Sequence, residues 1–151
     1  MSINAPLADV RAFHEAFGHP VAEIPMPITP ERAEKRAGWV QDEAEELVAD
    51  TERLVDEIEQ GHSDVADLIA VQVDAALDAI YFSLGTVVEL GLDLDPLWKI
   101  VQEANMAKLH NGVAVKDARG KTVKPEGWED PHPKIVAEIR RQMEEGFRRA
   151  A

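Results

Sequence analysis

The sequence contains no cysteine, which excludes disulfides, thiolate metal sites and cysteine nucleophiles. Positive charge is scarce as well: 16 Lys and Arg stand against 29 Asp and Glu, for a net charge of -13. A field of that sign repels a phosphate backbone, so duplex nucleic acid is not an expected partner. A small polyanion can bind only where metal ions or a local basic cluster offset the carboxylates. The N-terminus lacks the basic and apolar regions of a secretory signal, and a cytoplasmic location is the expectation. One apolar run, Leu68 to Leu92, is long enough to raise the question of a membrane span, but it carries Asp74 and Asp78 near its middle. Each aspartate costs about 2.5–3.5 kcal/mol at a bilayer centre. A buried helix of a soluble bundle is therefore expected, with no membrane partner. Gly-rich phosphate loops, Gly-x-Ser-x-Gly elbows and a Ser/His/Asp order are also missing.

What is present reads as helix. The 151 residues, 45% of them apolar, suit one domain with its own core. Most prolines fall within residues 20–30 and 125–133, leaving the rest free for long helices. A first helix is expected over 6–17, with Leu7, Val10, Phe13, His14 and Phe17 at helical spacing and Gly18 as a stop. After a proline-rich connector, Thr29-Pro30 starts a second helix that runs to about Gln60 and ends at Gly61. Ser63 caps a third, which reaches Leu90. Asp95-Pro96 opens a fourth to about His110, and a loop rich in Gly, Lys and Pro leads to a last helix from near Pro133. That helix carries the stripe Ile135, Val136, Ile139 and Met143. No strand pattern competes. The expected organisation is a single domain over 1–151: N-terminal helix and connector 1–30, helical core 31–110, loop 111–132 and C-terminal helix 133–151. The two long helices, joined by a short turn, form an antiparallel hairpin.

Acidic residues on that hairpin carry the chemistry. On the second helix, Glu43, Glu46 and Asp50 share one face, with Trp39 one turn before them and Asp42 one turn behind Glu46. A solvated face is the ordinary explanation for such a pattern. The third helix shifts the balance, because Asp74 and Asp78 stand one turn apart on a helix that is otherwise almost wholly apolar and has no Lys or Arg. Buried carboxylates need partners, and Mg²⁺ takes oxygen ligands of this kind. A di-iron site would need two Glu-x-x-His pairs, and zinc would need clustered histidines; His14, His19, His62, His110 and His132 are scattered. His14 faces the apolar stripe of the first helix and reads as a packed, hydrogen-bonded histidine before a substrate contact. Gly85, inside an apolar helix, implies close approach by a neighbour.

These motifs resemble the all-α NTP pyrophosphohydrolases, the MazG-like superfamily that includes phosphoribosyl-ATP pyrophosphohydrolase. Its pattern is Glu-Glu-x-x-Glu on one helix and Glu-x-x-Asp on the next. Asp42-Glu43-Ala44-Glu45-Glu46 matches the first half, with aspartate for the first glutamate. Asp78 matches the final aspartate, but Ala75 stands where a glutamate is expected, and Asp74 is the substitute one residue earlier. The stretches Phe13 to Pro20, Tyr81 to Gly85, Ala104 to Lys108, and Gly120-Lys121 leading to Lys124-Pro125-Glu126-Gly127-Trp128 resemble the branch that includes enzymes hydrolysing dUTP.

The resemblance implies an all-α antiparallel bundle built on the hairpin and completed by dimerisation. It implies hydrolysis of a nucleoside triphosphate, dUTP first, between the α and β phosphates, with Mg²⁺ or Mn²⁺ as cofactor. Asp42, Glu43, Glu46, Asp74 and Asp78 are the expected ligands, and Asp42 or Glu46 the general base. Tyr81, Asn105, Lys108, Lys121, Lys124 and Trp128 are the expected substrate contacts, the lysines offering positive charge to phosphate oxygens. Trp128 stacks on a base or pins the loop. A homodimer is expected because a hairpin this apolar would bury its spare face in a partner. Two other readings stay open at this point: a non-catalytic nucleotide-binding homologue, favoured by Ala75, and a helical interaction module with solvated acidic faces. Phosphoribosyl-ATP or dCTP are the alternative substrates.

Overall fold

A computed structural model describes residues 2–61 and 64–150. Among them lie five helices: α1 (Asn4–Phe17), α2 (Pro30–Glu59), α3 (Val65–Leu90), α4 (Leu94–Met106) and α5 (His132–Ala150). The all-α expectation holds. The chain forms two compact units, one of Pro6–Ala22 and Met26–Leu90, the other of Met1–Ala5, Glu23–Pro25 and Gly91–Ala151.

The first unit is built on the α2–α3 hairpin. Thr29, extended at φ -63° and ψ 149°, caps α2 by accepting Arg32 N on its hydroxyl, and Pro30 occupies the first helical position. Gly61, at φ 69°, follows the helix end as a left-handed stop. Ser63, expected to cap α3, lies outside the described residues; the first-turn amide of Ala66 is taken by Asp64 Oδ1 at 3.0 Å. Between the helices, Leu68, Ala75, Leu84, Gly85 and Val88 of α3 are buried, while α2 buries only Arg36. The proline-rich connector is tied to the end of α3, where Ala22 N and Met26 N donate to the carbonyls of Val88 and Leu90. Those carbonyls have no intrahelical partner of their own. On α1, Val10 and His14 are buried, but Phe17, expected in the apolar stripe, is 69% exposed.

Packing departs from the sequence reading on α3. The helix was expected to be buried, yet Val65, Ile69, Val73, Leu77 and Ile80 are all about half exposed or more. They recur every three or four residues and so form one open apolar stripe. Asp74 and Asp78 are exposed too, rather than buried. The stripe is open because α2 covers only one face of α3, and among the described residues nothing in this unit covers the stripe. By length and composition α3 could cross a membrane, although the two aspartates lie within it.

In the second unit α4 packs on α5. The cap of α4 is Asp93, whose side chain accepts Asp95 N, not Asp95 as expected. Asp95 instead accepts Ser2 Oγ at 2.7 Å and Ile3 N at 2.8 Å. Ser2 first, and then those backbone donors, hold its carboxyl below the ordinary range. Gln142, buried on α5, bonds both backbone groups of Asp93. Ile135, Val136, Ile139 and Met143 are half-buried along α5, as their spacing implies. α4 ends at Met106 rather than near His110. The chain there enters a tight turn at Asn111 (φ 51°) and Gly112 (φ 84°), closed by reciprocal His110–Val113 backbone bonds. Positive φ at both central positions is the hairpin-turn geometry that Asn-Gly favours.

Candidate active site

Four of the five expected ligands act on one another. Glu43, half-buried on α2, has its carboxyl pushed above the ordinary range, first by lost hydration, then by repulsion from Asp78 across the hairpin and from Glu46 and Asp42 on its own helix. The register of the hairpin produces this: Asp78 follows the buried Ala75 by one turn on the α3 face turned to α2, and α2 meets it with Asp42, Glu43 and Glu46. Among the described residues none of these four forms an ion pair with a Lys or Arg. Their neighbour Glu45 accepts from Gln41 at 2.7 Å. Asp50, on the same face further along, is neutralised by Arg53 at 3.3 Å. Asp74 is exposed and does not act on Glu43, while Ala75, where the resemblance implies a glutamate, is 3% exposed.

Among the described residues no three carboxylate or imidazole groups form a ready-made ion cage. The donor chemistry nevertheless fits a hard divalent cation: carboxylate oxygens from two helices, mutually repelling, with a proton retained on Glu43 more readily than usual. A bound cation would relieve that repulsion.

Beside this cluster opens a cavity of about 460 Å³, lined by Phe13, His14, His19, Arg36, Trp39, Asp78, Tyr81 and Phe82. Asp78 therefore belongs both to the carboxylate cluster and to the cavity wall. Tyr81 meets Phe13 edge-on at 5.6 Å, and Phe13 stacks on His19 at 5.8 Å. Trp39 is flanked by two guanidinium groups, with Arg32 4.9 Å and Arg36 5.3 Å from its ring centroid. Both arginines turn to Glu89: Arg32 through bonds of 2.8 and 2.6 Å, Arg36 through an ion pair of 3.8 Å. Arg36 also donates to Thr86 Oγ1 and to the Phe82 carbonyl. Sequence reasoning missed Arg32, Arg36 and Glu89, whose partners lie more than forty residues away. The one available signal was Gly85. A Cβ there would strike Arg36 Nη2 and lie 2.8 Å from His14 Nε2, so its close neighbours are these two side chains.

The remaining expected substrate contacts belong to the second unit. Trp128 Nε1 donates to the Ala104 carbonyl at 2.8 Å, so the ring pins its loop to α4. Lys124 Nζ stands 3.8 Å over that ring and Lys108 Nζ 5.9 Å from it. Lys108 also donates to Asn105 Oδ1 at 2.7 Å. Lys108, Lys124, Asn105 and Trp128 are thus gathered in one place. Lys121 is exposed, and its amide is held by Asp117.

The family model for phosphoribosyl-ATP pyrophosphohydrolase matches residues 10–105, which include α2, α3 and every carboxylate of the cluster. The chain belongs to this family. Phosphoribosyl-ATP pyrophosphohydrolases are part of the MazG-like all-α superfamily, and membership makes the chain a nucleotide pyrophosphohydrolase. No curated protein matches the chain. The family match covers the hairpin and stops short of the Lys121 to Trp128 segment.

Proposed function

We propose that the protein hydrolyses a nucleoside triphosphate, dUTP first, between its α and β phosphates, releasing the monophosphate and pyrophosphate and so cleansing the nucleotide pool. The observation that supports this most is the four-carboxylate cluster, Asp42, Glu43, Glu46 and Asp78, opening directly onto an aromatic cavity. A cavity of this size and lining suits a flat heterocycle, and the adjoining carboxylates suit a metal-bound phosphate chain. Asp42, Glu43, Glu46 and Asp78 would hold Mg²⁺ or Mn²⁺, with Asp74 in support. The ion, when bound, neutralises phosphate charge and lowers the pKa of water. The chain's own contribution is to orient: Trp39, Tyr81 and Phe13 confine the base, and Asp42 or Glu46 accepts the proton of the attacking water. Lys108, Lys121 and Lys124 are proposed to offer positive charge to phosphate oxygens and Asn105 a polar contact to sugar or base, while Trp128 pins its loop to α4. The open stripe on α3 supports a homodimer, and the cytoplasm is the proposed compartment.

Pyrophosphate release from a panel of nucleoside triphosphates and from phosphoribosyl-ATP, with Mg²⁺ or Mn²⁺ and again with chelator, tests the reading. Metal-dependent release from dUTP in preference to the others is expected. Preference for phosphoribosyl-ATP would move the protein to the reaction of the family's name. No turnover of any of them by folded, metal-supplied protein would leave nucleotide binding as the function.

A further inference from the structure

Arg32 and Arg36 stand on α2 two turns and one turn before Trp39. Long cationic side chains on a helix ordinarily reach outward to water. Here both turn across the hairpin to Glu89, near the end of α3, whose side chain is fully buried. The two guanidinium groups come to rest against the Trp39 ring, Arg32 at 4.9 Å and Arg36 at 5.3 Å from its centroid. Arg36 also lies 5.8 Å from the Phe82 ring, which is itself 6.1 Å from that of Trp39. Arg36 is fixed there by its bonds to Thr86 Oγ1 and the Phe82 carbonyl. Arg36, Trp39 and Phe82 line the cavity, whereas Arg32 and Glu89 do not. Among the described residues Trp39 makes no hydrogen bond, so its orientation depends on its packing and on these cations. A buried ion triad contributes little net stability, because desolvation offsets the attraction of its charges. What this one does is hold two guanidinium groups against one wall of the slot.

We propose that Glu89 is a positioning residue for the cavity: acting through Arg32 and Arg36, it fixes the Trp39 ring in the orientation that a planar base meets. The inference rests on the cavity being the base site of the proposed reaction. Loss of the Glu89 charge releases both guanidinium groups, and with them the ring, while the carboxylates that face the phosphates keep their places.

Protein labelled with fluorotryptophan carries three fluorine resonances, from Trp39, Trp98 and Trp128, and the one missing from Trp39→Phe belongs to Trp39. Deoxyuridine, added with chelator present, is expected to shift that resonance in wild type and so report its own Kd. The variants are Arg32→Met, at the edge of the cluster, and Glu89→Gln, at its centre, each measured well below its melting temperature. Both should move or broaden the Trp39 resonance while those of Trp98 and Trp128 stay in place. Deoxyuridine binding should weaken about threefold in Arg32→Met and about tenfold in Glu89→Gln. Pyrophosphate release from dUTP should show a raised KM with kcat held within about twofold. Arg32→Lys, which keeps a cation for Glu89, should recover part of the loss. A role in stability alone predicts an unmoved Trp39 resonance and unchanged binding in both folded variants; that result overturns the assignment and leaves the pyrophosphohydrolase reading intact. A moved resonance with unchanged deoxyuridine binding overturns it as well. Weakened binding in the variants, without turnover of dUTP by metal-supplied wild type, keeps the assignment and overturns the reaction.

Discussion

Glu89→Gln is expected to destabilise the protein more than any exposed acidic substitution. The Glu89 side chain is 0% exposed, Arg36 5% and Arg32 23%. The glutamate is the one carboxylate serving both guanidinium groups, so the isosteric amide leaves two cations sharing a neutral acceptor. Burial alone already lowers the pKa of Arg36, with Glu89 opposing that effect; removing the counter-charge makes the desolvation uncompensated. Breaking a buried pair from one side costs about 3–5 kcal/mol. The lower end, about 3 kcal/mol, applies here, because Arg32 stands at the edge and can swing into water. For a chain of this size that is a fall of roughly 6–12 °C in melting temperature. Urea unfolding followed by circular dichroism measures it directly, with Arg32→Met and the double variant completing a cycle. The double variant should lose less than the sum of the single ones, since each removes the same bidentate contact. A Glu89→Gln variant that stays within about 1 kcal/mol of wild type would refute the argument.

The carboxylate cluster predicts an opposite effect. Glu43 has a folded pKa above its unfolded one, so the ionised group opposes folding; the penalty is full above the folded pKa and vanishes as pH falls below the unfolded one. Glu43→Gln should therefore raise the melting temperature of metal-free protein at pH 7, and abolish the rise that Mg²⁺ is expected to produce in wild type; calorimetry with and without chelator checks both. Leu77→Glu places a charge on the open stripe of α3 and should convert the proposed homodimer to monomer without lowering helicity, as read by sedimentation and circular dichroism. An unchanged mass would show that the stripe is not the interface. Trp128→Phe removes the bond to the Ala104 carbonyl and should cost about 1 kcal/mol, with protease cleavage of the loop around Gly127 accelerated over wild type.

Helices were legible because their signals are local. Thr29-Pro30, the glycine stops at Gly18 and Gly61 and the spacing of Ile135, Val136, Ile139 and Met143 act within one or two turns, and each reappears in the structure. The errors arose where local signals compete. Asp93 and Asp95 both suit a helix cap, and only the contacts of Asp95 with Ser2 and Ile3, some ninety residues away in sequence, decide between them. Asn111-Gly112 is a local hairpin-turn signal set inside a segment whose overall composition is that of a loop.

Part of the site was legible for a different reason. A carboxylate face on α2 and an aspartate on α3 meet whenever the hairpin closes in register, which accounts for Glu43, Glu46 and Asp78, whereas Asp42 enters the set through the resemblance and the same face also carries Asp50, which Arg53 neutralises. The cavity wall does not follow from register, because Phe13, His14 and His19 come from α1 and the connector, whose placement depends on contacts such as Ala22 with Val88. Burial was misjudged for a third reason. Hydropathy states what a surface would gain by being covered, not whether this chain covers it. On α3 the two differ, since Ala75, Leu84 and Val88 are buried while Val65, Ile69, Val73, Leu77 and Ile80 are not. Asp74 lies next to Val73 on that open side. A second copy seated on the stripe would therefore decide whether Asp74 faces solvent or joins the carboxylates, which makes the oligomeric state and the metal count a single question.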